Sequence, residues 1–131
     1  MSELVNKIGT FEQDNLIARL SPAAETMGIV IRKLGTAATL KRGTILARSS
    51  GSAGDGKYVI LGTSAASNET LTPAAILCDD VDVGTAADAK AIAYRCGNFN
   101  PGALIVATGY TLSADDIDTL RKYDIILTQM I

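Results

Sequence analysis

AIAYRCGNFN at residues 91–100 and LSADDIDTLRKYDIIL at residues 112–127 are the two stretches that decide the fold of this chain. The first predicts a strand that ends in a turn, and the second predicts a short helix followed by a closing strand. Ser113 is a good helix N-cap, and Asp116, three residues later, takes the place of the glutamate in a capping box. The helix therefore begins directly after Ser113.

The charges of this helix fit its dipole, because three aspartates lie in its first turn while Arg121 and Lys122 lie in its last. Ile117 and Leu120 are three residues apart and share a face. One short apolar stripe is therefore expected to pack the helix on a sheet.

Composition points to a single β-rich domain. The chain has 131 residues, of which 47% are apolar, but only four tyrosines and two phenylalanines are aromatic and there is no tryptophan. Small and β-branched side chains must therefore fill most of the core, which suits short twisted strands. The few large side chains available for packing are Phe11, Tyr58, Tyr94, Phe99 and Tyr110.

Charge and residue types argue against several classes of function. The net charge is −2 and no long basic run occurs, so we expect no nucleic-acid partner. Histidine is absent, which removes the commonest general base and the commonest metal ligand. No signal-peptide pattern opens the chain, and no apolar run of about 18 residues exists to cross a bilayer. We therefore expect no enzyme, cofactor, metal site, membrane or small-molecule substrate, and assembly in a cytoplasm.

The predicted fold is mainly β, a small barrel or sandwich with one short C-terminal α-helix, preceded by an extended N-terminal arm. Residues 1–27 form the predicted flexible arm, and residues 28–131 form the predicted domain. The apolar residues of the arm follow no sustained period. For residues 1–20 two interpretations stay open: an arm that becomes ordered on a partner, or an edge strand and loop of the domain. The candidate binding residues of the arm are Leu4, Val5, Ile8, Phe11, Asn15, Leu16, Ile17 and Leu20.

The middle of the chain predicts a β meander. Gly43 bends a strand over residues 38–48, and further strands are expected at residues 28–33 and 57–61. The glycine-rich loop at residues 49–56 matches no phosphate-binding spacing, so we interpret it as a hairpin loop. A second loop is expected at residues 65–72.

Residues 74–83 and 89–96 are predicted to pair as antiparallel strands. Facing residues of such a pair point to the same side of the sheet. We place Val81 opposite Tyr94, which also sets Val83 opposite Ile92.

The two cysteines are expected to be reduced structural thiols. In the register just given, the sulfurs of Cys78 and Cys96 lie on opposite faces, which disfavours a disulfide. A nucleophilic role is also disfavoured, because no histidine is present to activate a thiolate.

Four acidic residues form the main candidate constellation for chemistry: Asp79, Asp80, Asp82 and Asp88. Their oxygens suit a hard cation such as calcium, but the spacing of an EF-hand loop is missing. A glycosidase-like pair of carboxylates is a weaker alternative, since the chain has few aromatic residues to stack on sugars. We favour solvated acids on an exposed strand face.

Several segments taken together resemble the head decoration proteins, or capsid cement proteins, of tailed bacteriophages of the lambda type. The resemblance covers residues 14–130, and the order and spacing of the segments make it specific. They are residues 14–18 (DNLIA), 38–46 (ATLKRGTIL), 75–82 (AILCDDVD), 93–100 (AYRCGNFN), 115–121 (DDIDTLR) and 125–127 (IIL).

The resemblance implies a non-enzymatic homotrimer at the threefold positions of an expanded capsid, on the exterior of the virion. There it would hold neighbouring copies of the major capsid protein together against the pressure of the DNA. The arm would add a strand to the shell, so that main-chain hydrogen bonds supply much of the binding. The candidates for trimer or core packing are Tyr94, Phe99, Tyr110, Ile117 and Leu120.

Two departures from the family pattern concern the ends of the chain. Asp124 follows the helix where a glycine is expected, and a left-handed cap strains a residue other than glycine. Residues 1–13 match no motif of the family.

Two other classes of function stay open. A small β-barrel that binds a ligand or a protein without catalysis would have a pocket lined by Tyr58, Tyr94 and Phe99. An enzyme would use Asp79, Asp80 or Asp82.

Overall fold

A computed structural model describes residues 16–19 and 23–128 of the chain. Within these residues it contains nine strands, one α-helix (α1) and one 3-10 turn at Pro101–Ala103. The elements are β1 Ile17–Arg19, β2 Glu25–Ile31, β3 Ala38–Leu40, β4 Ile45–Ser50, β5 Tyr58–Ile60, β6 Thr70–Leu77, β7 Val81–Val83, β8 Ala89–Phe99, α1 Ala114–Lys122 and β9 Ile125–Leu127.

Five strands close into a small barrel. Hydrogen-bonded neighbours follow the order β8, β2, β5, β4 and β6, and β6 pairs again with β8. All neighbours are antiparallel except β2 and β5, which pair in parallel at Ile31 and Tyr58. The prediction of a mainly β barrel with one short C-terminal helix is confirmed.

The barrel interior is filled by aliphatic side chains that alternate along the strands. One apolar cluster draws members from all five barrel strands and includes Ile31, Leu46 and Leu77, each fully buried. Residues of the opposite parity, such as Ile45 and Ile76, belong to a second cluster on the outside of the barrel. Along β4, β5 and β6 the barrel wall is therefore covered by apolar packing on both of its faces.

A two-stranded sheet closes one end of the barrel. Strands β3 and β7 pair antiparallel, with Leu40 opposite Val81, and the buried side chains of Leu40 and Val83 join the interior cluster. The predicted pairing of Val81 and Val83 with β8 is therefore wrong. Tyr94 lies opposite Ile76, because a turn at residues 78–80 separates β7 from β6.

An outer layer covers one side of the barrel. Beyond Gly97 the end of β8 pairs with β1 on one edge and in parallel with β9 on the other. Gly97 has a φ of +144°, and a Cβ there would lie 2.9 Å from the Phe99 ring, so this position requires glycine. The helix completes the layer through Leu120, which is fully buried.

The local structure of the helix matches its prediction. The hydroxyl of Ser113 accepts a hydrogen bond from the backbone N–H of Asp116, whose carboxylate accepts one from the backbone N–H of Ser113. After the helix, Asp124 takes a φ of +64°, the left-handed conformation that a glycine would adopt. The helix therefore ends in the left-handed conformation that the family pattern implies, although aspartate adopts this conformation less readily than glycine.

Two sequence-based boundaries need correction. The loop predicted at residues 65–72 is shorter, because β6 already begins at Thr70. The strand predicted to begin at residue 28 begins at Glu25 and pairs along its length with β8.

Candidate assembly surface

The root of the arm lies at β1, on the outer layer. Strand β1 pairs with the end of β8, with Ile17 opposite Phe99, and the backbone N–H of Asn100 donates to the carbonyl of Leu16 at 2.8 Å. Leu16 is only 1% exposed and belongs to the outer apolar cluster, with Ile17 half-buried against it. Of the candidate arm residues, these two are anchored in the body of the protein. The others, Leu4, Val5, Ile8, Phe11, Asn15 and Leu20, lie outside the described residues.

Gly43 lies beside Leu16, and its positive φ and close approach to Ala103 require glycine at this position. Gly43 has a φ of +98°, and a Cβ there would lie 2.8 Å from the carbonyl oxygen of Ala103 and 3.6 Å from Cδ1 of Leu16. The backbone of Gly43 also pairs with Leu77, at the barrel end closed by β3 and β7. Leu16, the first described residue, therefore lies near the closed end of the barrel.

Strand β1 lies at one edge of the sheet formed by the described strands. Among the described strands, β8 is the only partner of β1, which ends the row of hydrogen-bonded strands. Unpaired edge strands present backbone N–H and C=O groups to an incoming strand. Strand β1, which lies within the predicted arm, is thus an edge strand of the described sheet.

The packing candidates fall into two groups. Tyr94 and Phe99 are buried with ring centroids 5.3 Å apart, and Leu120 is fully buried, so these three pack within the chain. Tyr110 and Ile117 are half-buried. The hydroxyl of Tyr110 donates to the carboxylate of Asp116 and so joins the helix cap to the preceding segment.

Large apolar side chains that remain exposed mark other parts of the surface. Val30 and Ile92 lie on the outer face of the neighbouring strands β2 and β8, at 38% and 46% exposure. The alternation of Ile29 and Ile31 with Val30 indicates that Val30 points outward, a signal present in the sequence. Ile105 and Tyr123 are exposed elsewhere.

An ion-pair network stiffens the loops around the barrel. The guanidinium of Arg32 donates to both carboxylate oxygens of Asp55 at 3.0 Å and to Glu69 at 2.5 Å. Glu69 also accepts from the hydroxyl of Ser49 and from the backbone N–H of Ala66. These bonds hold the loop after β4 and the loop before β6 to the end of β2.

The network lowers the pKa values of its acids. The Arg32 guanidinium is the main reason that the pKa of Asp55 falls to about 2. The pKa of Glu69 also falls to about 2, chiefly through the Ala66 N–H and then through Ser49 and Arg32. Both side chains therefore remain ionised far into the acid range.

Arg42 ties the closed end of the barrel to the outer cluster. Its guanidinium donates to the carbonyl of Cys78 and to the hydroxyl of Tyr94, both at 2.8 Å, and lies 5.5 Å from the centre of the Tyr94 ring. Its backbone N–H donates to Asp80 at 2.7 Å. The sequence contains no local signal for this network, because its members come from three different segments.

Three of the four acids of the candidate constellation make separate structural contacts. Asp80 binds the Arg42 N–H, Asp82 accepts from the hydroxyl of Thr39, and Asp88 accepts from the Lys33 N–H and pairs with Lys57 at 2.5 Å. Asp79 is exposed. Among the described residues no group of three or more acidic or thiol side chains is placed to hold a metal ion.

The ligand pocket considered in the sequence is not formed as expected. Tyr58 lies at the barrel interior, whereas Tyr94 and Phe99 belong to the cluster outside the barrel wall.

The two cysteines are free: Cys78 neighbours Arg42, and Cys96 lies near the carbonyl of Ala23. In the described part of the chain, no helix has the length and apolar character needed to span a membrane.

Comparison with known protein families assigns this architecture. The family described as bacteriophage lambda head decoration protein D matches residues 8–123, which is most of the chain. Comparison with curated proteins gave no match. The matched span includes β1, the five barrel strands and α1 and ends before β9, so this chain belongs to the bacteriophage lambda head decoration protein D family.

Proposed function

We propose that the protein binds as a homotrimer to the threefold sites of an expanded bacteriophage capsid. There it stabilises the shell against the pressure of packaged DNA. Its partners are the major capsid protein and two further copies of itself, on the exterior of a virion assembled in the host cytoplasm. Membership of the head decoration family supports this proposal.

The observation that carries the proposal is the anchored root of the arm. Leu16 is buried and its carbonyl is hydrogen-bonded to Asn100, so a pull on the residues before it is transmitted to the barrel. A protein that holds capsid subunits together needs such a firm junction between the segment that binds the shell and its folded body. The position of β1 at the end of the row of described strands supports a strand-addition mode for the segment that binds the shell.

The rigidity of the body supports a mechanical role. A closed barrel has no open edges of its own, and here the wall formed by β4, β5 and β6 is packed on both faces. The Arg32 network fixes two of the loops around it. Weak contacts repeated over a shell can then give a large total avidity.

The first experiment mixes the full-length protein with purified, expanded, undecorated capsids. We expect saturable binding with density for three copies at each threefold position, measured by sedimentation and electron cryo-microscopy. Single copies, or density away from the threefold positions, would contradict the proposal. DNA-filled shells should release their DNA at a higher temperature when decorated.

The second experiment tests the arm. Deleting residues 1–14 should weaken capsid binding by at least roughly tenfold, because the residues proposed to contact the shell are lost. A matched variant keeps the length but replaces Leu4, Val5, Ile8 and Phe11 with serine, and it should bind as weakly as the deletion. Undiminished binding of both variants would remove the arm from the mechanism.

A further inference from the structure

The barrel has one open end, opposite the end closed by β3 and β7. A cavity of about 510 Å³ lies there, and all five barrel strands contribute to its lining. We call it the barrel mouth and define it by Glu25, Arg48, Tyr58, Arg95, Tyr123 and Asp124. Mouths of β-barrels are a common position for ligand sites.

One cation in the barrel mouth lacks a partner. Arg95 pairs with Glu25. The side chain of Arg48, which lies opposite Tyr58 on the neighbouring strand, makes no hydrogen bond or ion pair within the described part of the chain. A guanidinium offers five N–H donors in a planar fork that matches a carboxylate. Arg48 is thus a ready-made anchor for an anion.

Two tyrosines line the same cavity as Arg48. Tyr58 is half-buried, and Tyr123 is 48% exposed although it is large. Tyr58 lies opposite Arg48 on the neighbouring strand, and Tyr123 lines the same cavity. Burial is the main cause that raises the pKa of Tyr58, while the Arg48 cation lowers it and Tyr123 raises it. Two aromatic rings beside an unpaired guanidinium suit an aromatic group that carries a negative charge.

We infer that the barrel mouth binds an aromatic carboxylate, with its carboxylate on Arg48 and its ring between Tyr58 and Tyr123. A monoanion is preferred to a dianion, because Glu25 and Asp124 line the same cavity. The same chemistry is offered by a free aromatic acid and by the carboxy-terminal aromatic residue of a peptide. The site goes beyond the proposed capsid function and can be tested on the free protein.

The test is a ¹H–¹⁵N NMR titration of the full chain with benzoate and, separately, with N-acetyl-phenylalanine. We expect saturable shifts at Arg48, Tyr58 and Tyr123 with at least one of the two probes, and the tighter probe identifies the source of the ligand. Acetate, which lacks a ring, and phosphate, which carries more charge, should bind more weakly. Equal or tighter binding of either would overturn the assignment, and so would the absence of saturable shifts at the mouth.

Two variants separate the site from general charge effects. Arg48→Gln should weaken binding about tenfold or more, because a charged hydrogen-bonding pair is lost. Tyr123→Ala should also weaken binding, while its exposure leaves the fold intact. Lys41→Gln is the matched control, since Lys41 lies beside the closed end and pairs with Asp80 on the surface. Equal weakening by Arg48→Gln and Lys41→Gln would overturn the inference.

Discussion

Leu16 is the residue that joins the arm to the body, and its burial makes it a core residue rather than a surface anchor. Leu16→Ala should lower the free energy of unfolding by roughly 2–5 kcal/mol, because it removes buried methyl groups and leaves a cavity beside Gly43. Urea denaturation followed by circular dichroism measures this loss. Ile8→Ala, within the proposed arm, is the control and should change stability little. A Leu16→Ala variant as stable as this control would contradict the anchor.

Asp124 carries local strain that the sequence anticipates. Its φ of +64° is more readily adopted by glycine. Asp124→Gly should therefore change stability by between zero and about +1 kcal/mol, and Asp124→Val should lower it by more than about 1 kcal/mol. Thermal unfolding of the two variants beside the parent checks both signs. A valine variant as stable as the parent would contradict the conformation.

Local residue patterns were predictable, and long-range ones were not. The roles of Ser113 and Asp116 could be predicted, because a capping box depends on residues three positions apart. The role of Leu16 depends on its hydrogen bond to Asn100, and Arg42 bonds to Cys78 and Tyr94, and all of these partners lie far along the chain. No spacing rule relates such residues, so their contacts had to come from the structure.

At the scale of elements, the ion-pair network makes the free energy of unfolding depend on pH. Glu69 and Asp55 have pKa values of about 2 when folded, against ordinary values of 4.5 and 3.8. A lowered acid pKa gives stability that is fully present above the unfolded value and is lost as the pH falls through the folded value. The melting temperature should therefore fall between about pH 4.5 and about pH 2.

Glu69→Gln should show a smaller fall over this range, because the variant has no carboxylate to protonate at that position. Melting curves from neutral pH down to about pH 2 measure the difference. Asp118→Asn is the matched control, because Asp118 is exposed and its ion pair with Arg121 on the same helix, at 3.8 Å, lies on the surface. Identical pH profiles for Glu69→Gln and the parent would exclude Glu69 from the acid response.

Strand existence was easier to predict than strand pairing. The apolar residues of β7 alternate correctly, but alternation specifies a buried face and not the partner strand. Because residues 74–83 were predicted to form one strand, Val81 and Val83 were predicted to pair with β8. In the structure a turn at residues 78–80 interrupts this segment, and Val81 and Val83 pair with β3. The free energy that decides this choice comes from closing the barrel end, which involves Leu40 from another part of the chain.

At the scale of the whole molecule, the two ends of the barrel differ. The chain enters the body near Gly43 at the closed end, and the barrel mouth lies at the other. If the arm binds the shell as proposed, the mouth is the end that points away from the arm root. A capsid contact and a ligand in the mouth would then not compete for the same surface.

Two truncations separate the arm from the body that it is attached to. Removing residues 1–14 should leave the melting temperature of the free protein almost unchanged, because Leu16 and β1 are retained. Removing residues 1–18 should lower stability by more than roughly 2 kcal/mol, since the buried Leu16 and most of the pairing of β1 with β8 are lost. Differential scanning calorimetry compares the two, with the full-length chain as reference. A large loss from the shorter truncation would place part of residues 1–14 in the core and move the start of the arm, whereas no loss from the longer one would mean that the body does not depend on β1.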